Sequence, residues 1–338
     1  MQRILFSLDK LRQFTAAESL LPRLAGWFLH QGWSVDITAR LIDGDYRRQL
    51  TQLSSTGPLR LFIDNDSSSP QESSGDLYHQ YQLIWVCNGY LSARLAALMH
   101  QGELEGQCLF QHFSASLPGA GEECGALEKL LAWRIVTDSP RSYAAQRLRG
   151  APGPVMRLLP LAFDDDNSGP VSPGGGELKQ ILWATQSLTP ALGELTAMLR
   201  LRGVRLDVML IAQQTEALTN QQLSHYQLVV AEHQLVARAL CLGIPVCIAG
   251  QGGWHGYLTE QSLTADSDNF FIATGGRQPD IPQYCDALIN GYAEAQQWAT
   301  TFQSTAMQNW SLSALLPPVL EPLPPARRWA LGAAEAKE

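Results

Sequence analysis

The chain has 338 residues, 45% of them hydrophobic and 17% charged, with a formal net charge of −8. That is a globular composition, which excludes disorder and a fibrous repeat, and no apolar run is long enough to span a bilayer. The acidic balance argues against a nucleic-acid binder, which carries a basic surplus or stripe, and the length points to two domains rather than one core.

From the amino end, "MQRILFSLDK" breaks its apolar stretch at Arg3, Asp9 and Lys10, too early for a secretory signal. Residues 3–8 read as a strand. Residues 15–33 carry helical spacing, with Thr15 and Glu18 as a capping box, Gly32 as the stop, and Pro22 as a kink or a delayed start. Strands follow at 34–39, 59–64 and 82–88, a helix at 91–101, a strand at 108–113, a helix at 126–133, a strand at 134–138 and a helix at 141–149. Residues 65–76 are too polar to pack and read as a surface loop. Continuous apolar strands separated by amphipathic helices imply a parallel sheet covered on both faces.

The rhythm breaks at 164–177, "DDDNSGPVSPGGGE", whose acids, prolines and glycines continue neither element type. It restarts with strands at 180–185, 205–211, 226–231, 244–250 and 269–274, and helices at 190–203, 232–242 and 282–303. The expected organisation is an amino-terminal domain 1–163, a linker 164–177, a second domain 178–308 and an extended Pro-rich tail 309–338. Cys87, Cys108, Cys124, Cys241, Cys247 and Cys285 are scattered, with neither a C-x-x-C pair nor zinc spacing, so free thiols in a reducing cytoplasm are expected.

Two α/β halves suggest a nucleotide ligand, but the usual fingerprints are missing. "DKLRQFTAAE" after the first strand holds no glycine, which excludes a G-x-G-x-x-G dinucleotide site there. No G-x-x-x-x-G-K-[ST] phosphate loop and no G-x-S-x-G elbow occurs.

Three segments carry a family likeness. "EHQLVARALCLGIPVCIAGQGGWHGYLTEQSL" followed by "NFFIAT" resembles the carboxyl-terminal half of GT-B glycosyltransferases, in which a helix ending A-x-x-x-G-x-P-V leads into a strand and a glycine-bearing loop. "WRIVTDSPRSYAAQRLRGAPGPVMRLLPLAFD" resembles the end of that class's first domain, closing on Pro160 and Asp164, and "CLFQHF" resembles the strand that ends in a cleft-facing histidine. The resemblance implies an α/β protein of two Rossmann-like, doubly wound parallel-sheet domains facing each other across a cleft.

It further implies sugar transfer from a nucleotide-sugar donor to a hydroxyl of a glycan or lipid-linked acceptor, without metal or resident cofactor, in bacterial surface polysaccharide or lipopolysaccharide assembly. The location implied is cytoplasmic, extending to peripheral contact with the inner face of the membrane. Helix amino ends, backbone amides and basic side chains would neutralise the diphosphate. His112 and Glu232 are the catalytic candidates. His233, Arg238, Thr185, Gly252, Gly253, Trp254 and His255 are the donor-binding candidates.

The chain departs from the class at two places. Arg238 stands where many retaining members place a second glutamate, and Thr185, Gln186 and Ser187 stand where they place an Arg/Lys pair. Each candidate also has an ordinary structural reading. His112 can be a satisfied histidine at a strand end, Glu232 a helix-start charge, and His233 a helix-start hydrogen bond. Gly252 and Gly253 can form a plain turn, Trp254 and His255 a surface cluster, and Arg238 a buried ion pair. Pyruvyl transfer to a polysaccharide, with His233 as its histidine, is the alternative chemistry. A catalytically inactive glycan- or partner-binding protein is the alternative class.

Overall fold

The computed structural model describes residues 1–11, 16–63, 80–87, 90–112, 125–151, 156–160, 176–211, 218–250, 252–268, 271–276 and 280–327. The chain forms two compact units, Met1–Pro160 with Pro318–Glu338, and Leu161–Pro317. Thr15 and most of the expected linker lie outside the described residues, as does the side chain of Glu18.

The first unit runs β1 (Arg3–Leu11), α1 (Ala16–His30), β2 (Ser34–Ile42), α2 (Gly44–Leu53), β3 (Leu59–Ile63), β4 (Gln80–Cys87), α3 (Ala93–His100), β5 (Glu105–His112), α4 (Gly125–Leu131), β6 (Ala132–Thr137), α5 (Pro140–Leu148) and β7 (Met156–Leu158). All seven strands pair in parallel in the order β3-β2-β1-β4-β5-β6-β7. The near-continuous burial of β1, β4 and β5 is what a sheet covered on both faces demands. Helix α1 continues through Pro22, because Leu20, Leu21, Leu24, Ala25, Phe28 and Leu29 form a buried stripe that outweighs the lost backbone bond. Helix α2, absent from the sequence expectation, buries only Tyr46 and Leu50, too thin a stripe to stand out from its polar residues.

Asp36 is buried near the amino end of β2. It accepts Nε and Nη2 of Arg60 at 2.9 and 2.6 Å and the Tyr81 hydroxyl at 2.5 Å. Removing one partner of a buried charged network costs about 3–5 kcal/mol. Asp36→Ala is therefore expected to lower the unfolding free energy by that amount in urea titrations; a loss below 1 kcal/mol would show that water already screens the network. Burial also raises the Cys108 thiol to about 12, in keeping with an unreactive core thiol.

The second unit runs β8 (Gln180–Thr185), α6 (Pro190–Leu201), β9 (Arg205–Leu210), α7 (Asn220–Leu223), β10 (Leu228–Ala231), α8 (Gln234–Cys241), β11 (Val246–Gly250), β12 (Gly253–Tyr257), α9 (Glu260–Asp268), α10 (Ile281–Asn290), α11 (Tyr292–Trp310) and α12 (Leu312–Leu320). Helix α12 crosses the boundary at Pro317. The sheet order is β12-β11-β10-β8-β9, parallel except for antiparallel β12.

Helices α7 and α9 are absent from the sequence expectation, and the structure differs from it at three further places here. The glycines at 250, 252, 253 and 256 fold the chain back as strand β12, while 271–276 are irregular where a strand was expected. The expected helix 282–303 is two helices that meet at Gly291. The segment expected as an extended tail holds α12, started by the Ser311 hydroxyl accepting from Ala314 N at 3.2 Å and buried along Leu312, Leu316 and Leu320. The chain then returns to the first unit. Buried Arg134 donates to the carbonyls of Pro318, Val319 and Glu321, Gln107 Nε2 to that of Pro325, and Gly106 N to that of Arg327.

Candidate functional site

In the second unit β8 has β10 on one side and β9 on the other, so the order of strands reverses at the β8–β10 junction. Open α/β sheets bind ligands beyond the carboxyl ends of the strands at such a reversal, where successive connections diverge to opposite faces. Thr185 ends β8, and Glu232 and His233 follow the last residue of β10. Three of the sequence candidates therefore stand at the reversal.

Four candidates converge on one loop, 271–276. His233 N donates to Phe271 O at 3.3 Å, and Glu232 Oε1 accepts from Ala273 N at 2.8 Å. His255 Nε2 lies 3.2 Å from Thr274 O, and Gly276 N donates to Gly252 O at 3.1 Å. The glycines make this approach feasible. A Cβ at Gly250 would overlap the Glu232 carboxylate, one at Gly252 the carbonyl of Ala273, and one at Gly253 the backbone of Gly276. Gly253 also sits at φ +130°, a conformation L side chains rarely adopt.

His233 holds φ 59° and ψ −142° at the amino end of α8, and Phe271 opposite it holds φ 54°. A non-glycine residue in such a region carries about 1–3 kcal/mol of strain and persists only where its surroundings over-determine it. The His233 side chain makes no cap to α8. The first amides of a helix have no intrahelical acceptor, and they carry the positive end of its dipole. The strained turn, the glycines and the loop thus frame a helix amino end suited to an anion.

His255, in β12, also has Nδ1 3.0 Å from Asp266 Oδ1 of α9. Trp254 meets Tyr284 edge to face at 4.7 Å between centroids, and Trp183 lies 6.2 Å from the same ring. These half-buried rings offer a wall for a planar group.

Two candidates have local roles. Thr185 Oγ1 accepts from Ser187 N at 3.4 Å and donates to Ser187 O at 3.1 Å, fixing the turn into α6. Arg238 is buried within α8 and donates to Leu218 O at 2.6 Å and Asn220 Oδ1 at 2.9 Å. Its guanidinium holds the start of α7 through these two bonds.

His112, in the first unit, ends β5 with Nε2 3.0 Å from Glu128 Oε2 of α4. Both side chains are nearly buried, at 12% and 9% exposed, so the carboxylate fixes the ring and leaves Nδ1 for another partner. Among the described residues no three His, Cys, Asp or Glu side chains form a cluster able to hold a metal ion. Sequence reasoning missed Glu128, Asp266, Tyr284 and the Ala273 amide, because each reaches its partner through the fold and no spacing announces it.

No protein-family profile matches the chain, and no curated protein matches it. Solved structures do match over nearly its whole length. HepE of Anabaena in complex with UDP aligns with a TM-score of 0.59 at 15% identity, covering 95% of this chain and 99% of that one. Its complex with UDP-glucose gives 0.56 at 12% over the same shares. A glycosyltransferase from Rickettsia africae gives 0.54 at 10%, covering 95% and 97%. At these identities the likeness is one of fold: the chain has the GT-B architecture of two Rossmann-like α/β units.

Proposed function

We propose that the protein is a glycosyltransferase that moves a sugar from a nucleotide-activated donor to a hydroxyl of a glycan or lipid-linked acceptor without a metal ion. The supporting observation is the frame at the strand reversal of the second unit, where Glu232, His233, Gly252 and His255 fasten one loop beside the amino end of α8. In this reading the diphosphate lies on the α8 amides and the glycine backbone, and the His233 ring adds a donor. Glu232 is a positioning residue whose Oε1 fixes the loop while Oε2 faces a donor hydroxyl. His112, oriented by Glu128, accepts the proton of the acceptor hydroxyl. HepE with UDP and UDP-glucose suggests uridine as the first base to try. We place the reaction in the assembly of a bacterial surface polysaccharide or lipopolysaccharide, the setting implied by the sequence resemblance.

Thermal unfolding against nucleoside diphosphates, UDP-glucose and phosphoenolpyruvate tests the reading. A ligand held only by the folded state adds about 2.7 kcal/mol at a hundred times its Kd. For a chain of this size that is a rise of about 5 °C. The rise is expected with UDP or another nucleotide and is expected to vanish in His233→Ala. A rise with phosphoenolpyruvate alone would replace sugar transfer by pyruvyl transfer, and none with any ligand at millimolar concentration would favour a non-catalytic binder.

A further inference from the structure

Thr137 is the last residue of β6 as His112 is of β5, and the register of these parallel strands sets the two opposite each other. Register partners point to one face of a sheet, from strands about 4.8 Å apart. That face is the one α4 covers, since His112 reaches Glu128 of that helix. Thr137 is fully buried, yet among the described residues its Oγ1 has no hydrogen-bond partner. The polar groups next to it are already engaged. The hydroxyls of Ser139 and Ser142 both donate to Asp138 Oδ1, at 3.2 and 2.7 Å, and the Thr137 carbonyl accepts from Leu159 N at 2.8 Å. Native folds rarely bury a hydroxyl without a partner, because its lost hydration is then not recovered. The ring opposite is placed to complement it: Glu128 takes Nε2 of His112 and leaves Nδ1.

We infer that Thr137 Oγ1 and His112 Nδ1 hold one oxygen atom between them, which makes Thr137 a positioning residue for the proton transfer. The inference rests on the proposed sugar transfer, in which His112 accepts the proton of the acceptor. The oxygen is a hydroxyl-type one, from the acceptor itself or from a single water in line with it. Its O–H bond points at Nδ1, and the threonine hydroxyl fixes it from the side. The acceptor oxygen bonds to the anomeric carbon as the bond from that carbon to the nucleotide breaks, its electron pair leaving with the phosphate. The acceptor proton passes to Nδ1 directly, or through the water, which gives up one proton as it takes another. The imidazolium so formed is held against the Glu128 carboxylate. A hydroxyl suits this position because it both donates and accepts, so it serves the oxygen before and after the proton leaves.

Crystal structures of the full chain, free and soaked with methyl glucoside, test whether the pair holds an oxygen. Density within about 3.2 Å of both Thr137 Oγ1 and His112 Nδ1 in the free protein identifies a water, and density there only after soaking identifies the acceptor hydroxyl. A Thr137 hydroxyl bonded to a protein atom in both structures would overturn the inference. Paired variants read the role, with turnover followed as UDP released from UDP-glucose to water and to methyl glucoside. Thr137→Val keeps the shape without the hydroxyl, and it is expected to lower kcat about ten-fold, close to what one hydrogen bond contributes. The KM for UDP-glucose and the nucleotide-induced rise in melting temperature should stay at wild-type values. Thr137→Ser, which keeps the hydroxyl without the methyl, is expected to retain most of the rate. The opposite order, with serine the more damaging, would show a packing role and overturn the inference, as would wild-type kcat in Thr137→Val; either result leaves sugar transfer standing. A wild-type chain that releases no UDP with either acceptor counts against sugar transfer instead, and the crystal structures then still decide whether the pair holds an oxygen.

Discussion

His112→Gln is expected to cut turnover by about 10²–10⁴-fold while the protein still folds and still gains stability from its nucleotide. The range is what a positioned general acid or base contributes. Glutamine rather than alanine is the informative change, because Glu128 is only 9% exposed and bonded to His112. Alanine would leave that carboxylate without its donor, at about 1–3 kcal/mol of folding free energy, and loss of fold would pass for loss of chemistry. The glutamine amide can keep the hydrogen bond to Glu128 but cannot take a proton. Glu128→Gln removes the carboxylate that orients the ring, so a smaller fall in kcat is expected. Turnover within two-fold of wild type in His112→Gln would reduce the pair to a structural hydrogen bond at a strand end.

The legible part of this sequence was the part governed by hydrophobic pattern. Strands such as β4 and β10 are buried along almost their whole length, so their runs of apolar residues identify them without reference to anything distant. The glycines at 250–256 were legible as a place of close backbone approach, and Ala273 and Gly276 are the backbones that approach. What they approach was not legible. Residues 269–274 read as a strand because "NFFIAT" is apolar and partly β-branched, yet 271–276 are irregular, with Phe271 at positive φ and four fastenings to distant residues. Local propensity yields there to the demands of the tertiary arrangement. The return of the chain through α12 was hidden differently. "LLPPVLEPLPP" is rich in the residue that ordinarily ends helices, and its anchor, Arg134, lies more than 180 residues upstream of the carbonyls it holds. Arg238, which stands where the resembled class places a glutamate, bonds Leu218 O and Asn220 Oδ1, and neither partner is announced by spacing along the chain.

Gly252→Ala is expected to weaken the donor by at least about 100-fold. The added methyl would overlap the carbonyl of Ala273, which is backbone and has no rotamer to yield. The 271–276 loop must then move away from the β11–β12 turn, breaking the bond from Gly276 N to Gly252 O and pulling on the one from Ala273 N to Glu232. Backbone groups that meet a diphosphate contribute about 1.5–3 kcal/mol for each charge-assisted bond, so losing alignment at two of them gives the stated factor. The folding cost should stay near 1–3 kcal/mol, because the loop lies beyond the strand ends and the core of the second unit remains packed. Gly193→Ala supplies the control. Gly193 lies inside α6 with nothing within 4 Å of its would-be Cβ, so that change should stabilise the protein by about 0.5–1 kcal/mol and leave the nucleotide-induced shift intact. If both variants bind nucleotide equally well, the glycine turn serves only the hairpin, and the donor would have to be held by the Thr185 turn and the amino end of α6 instead.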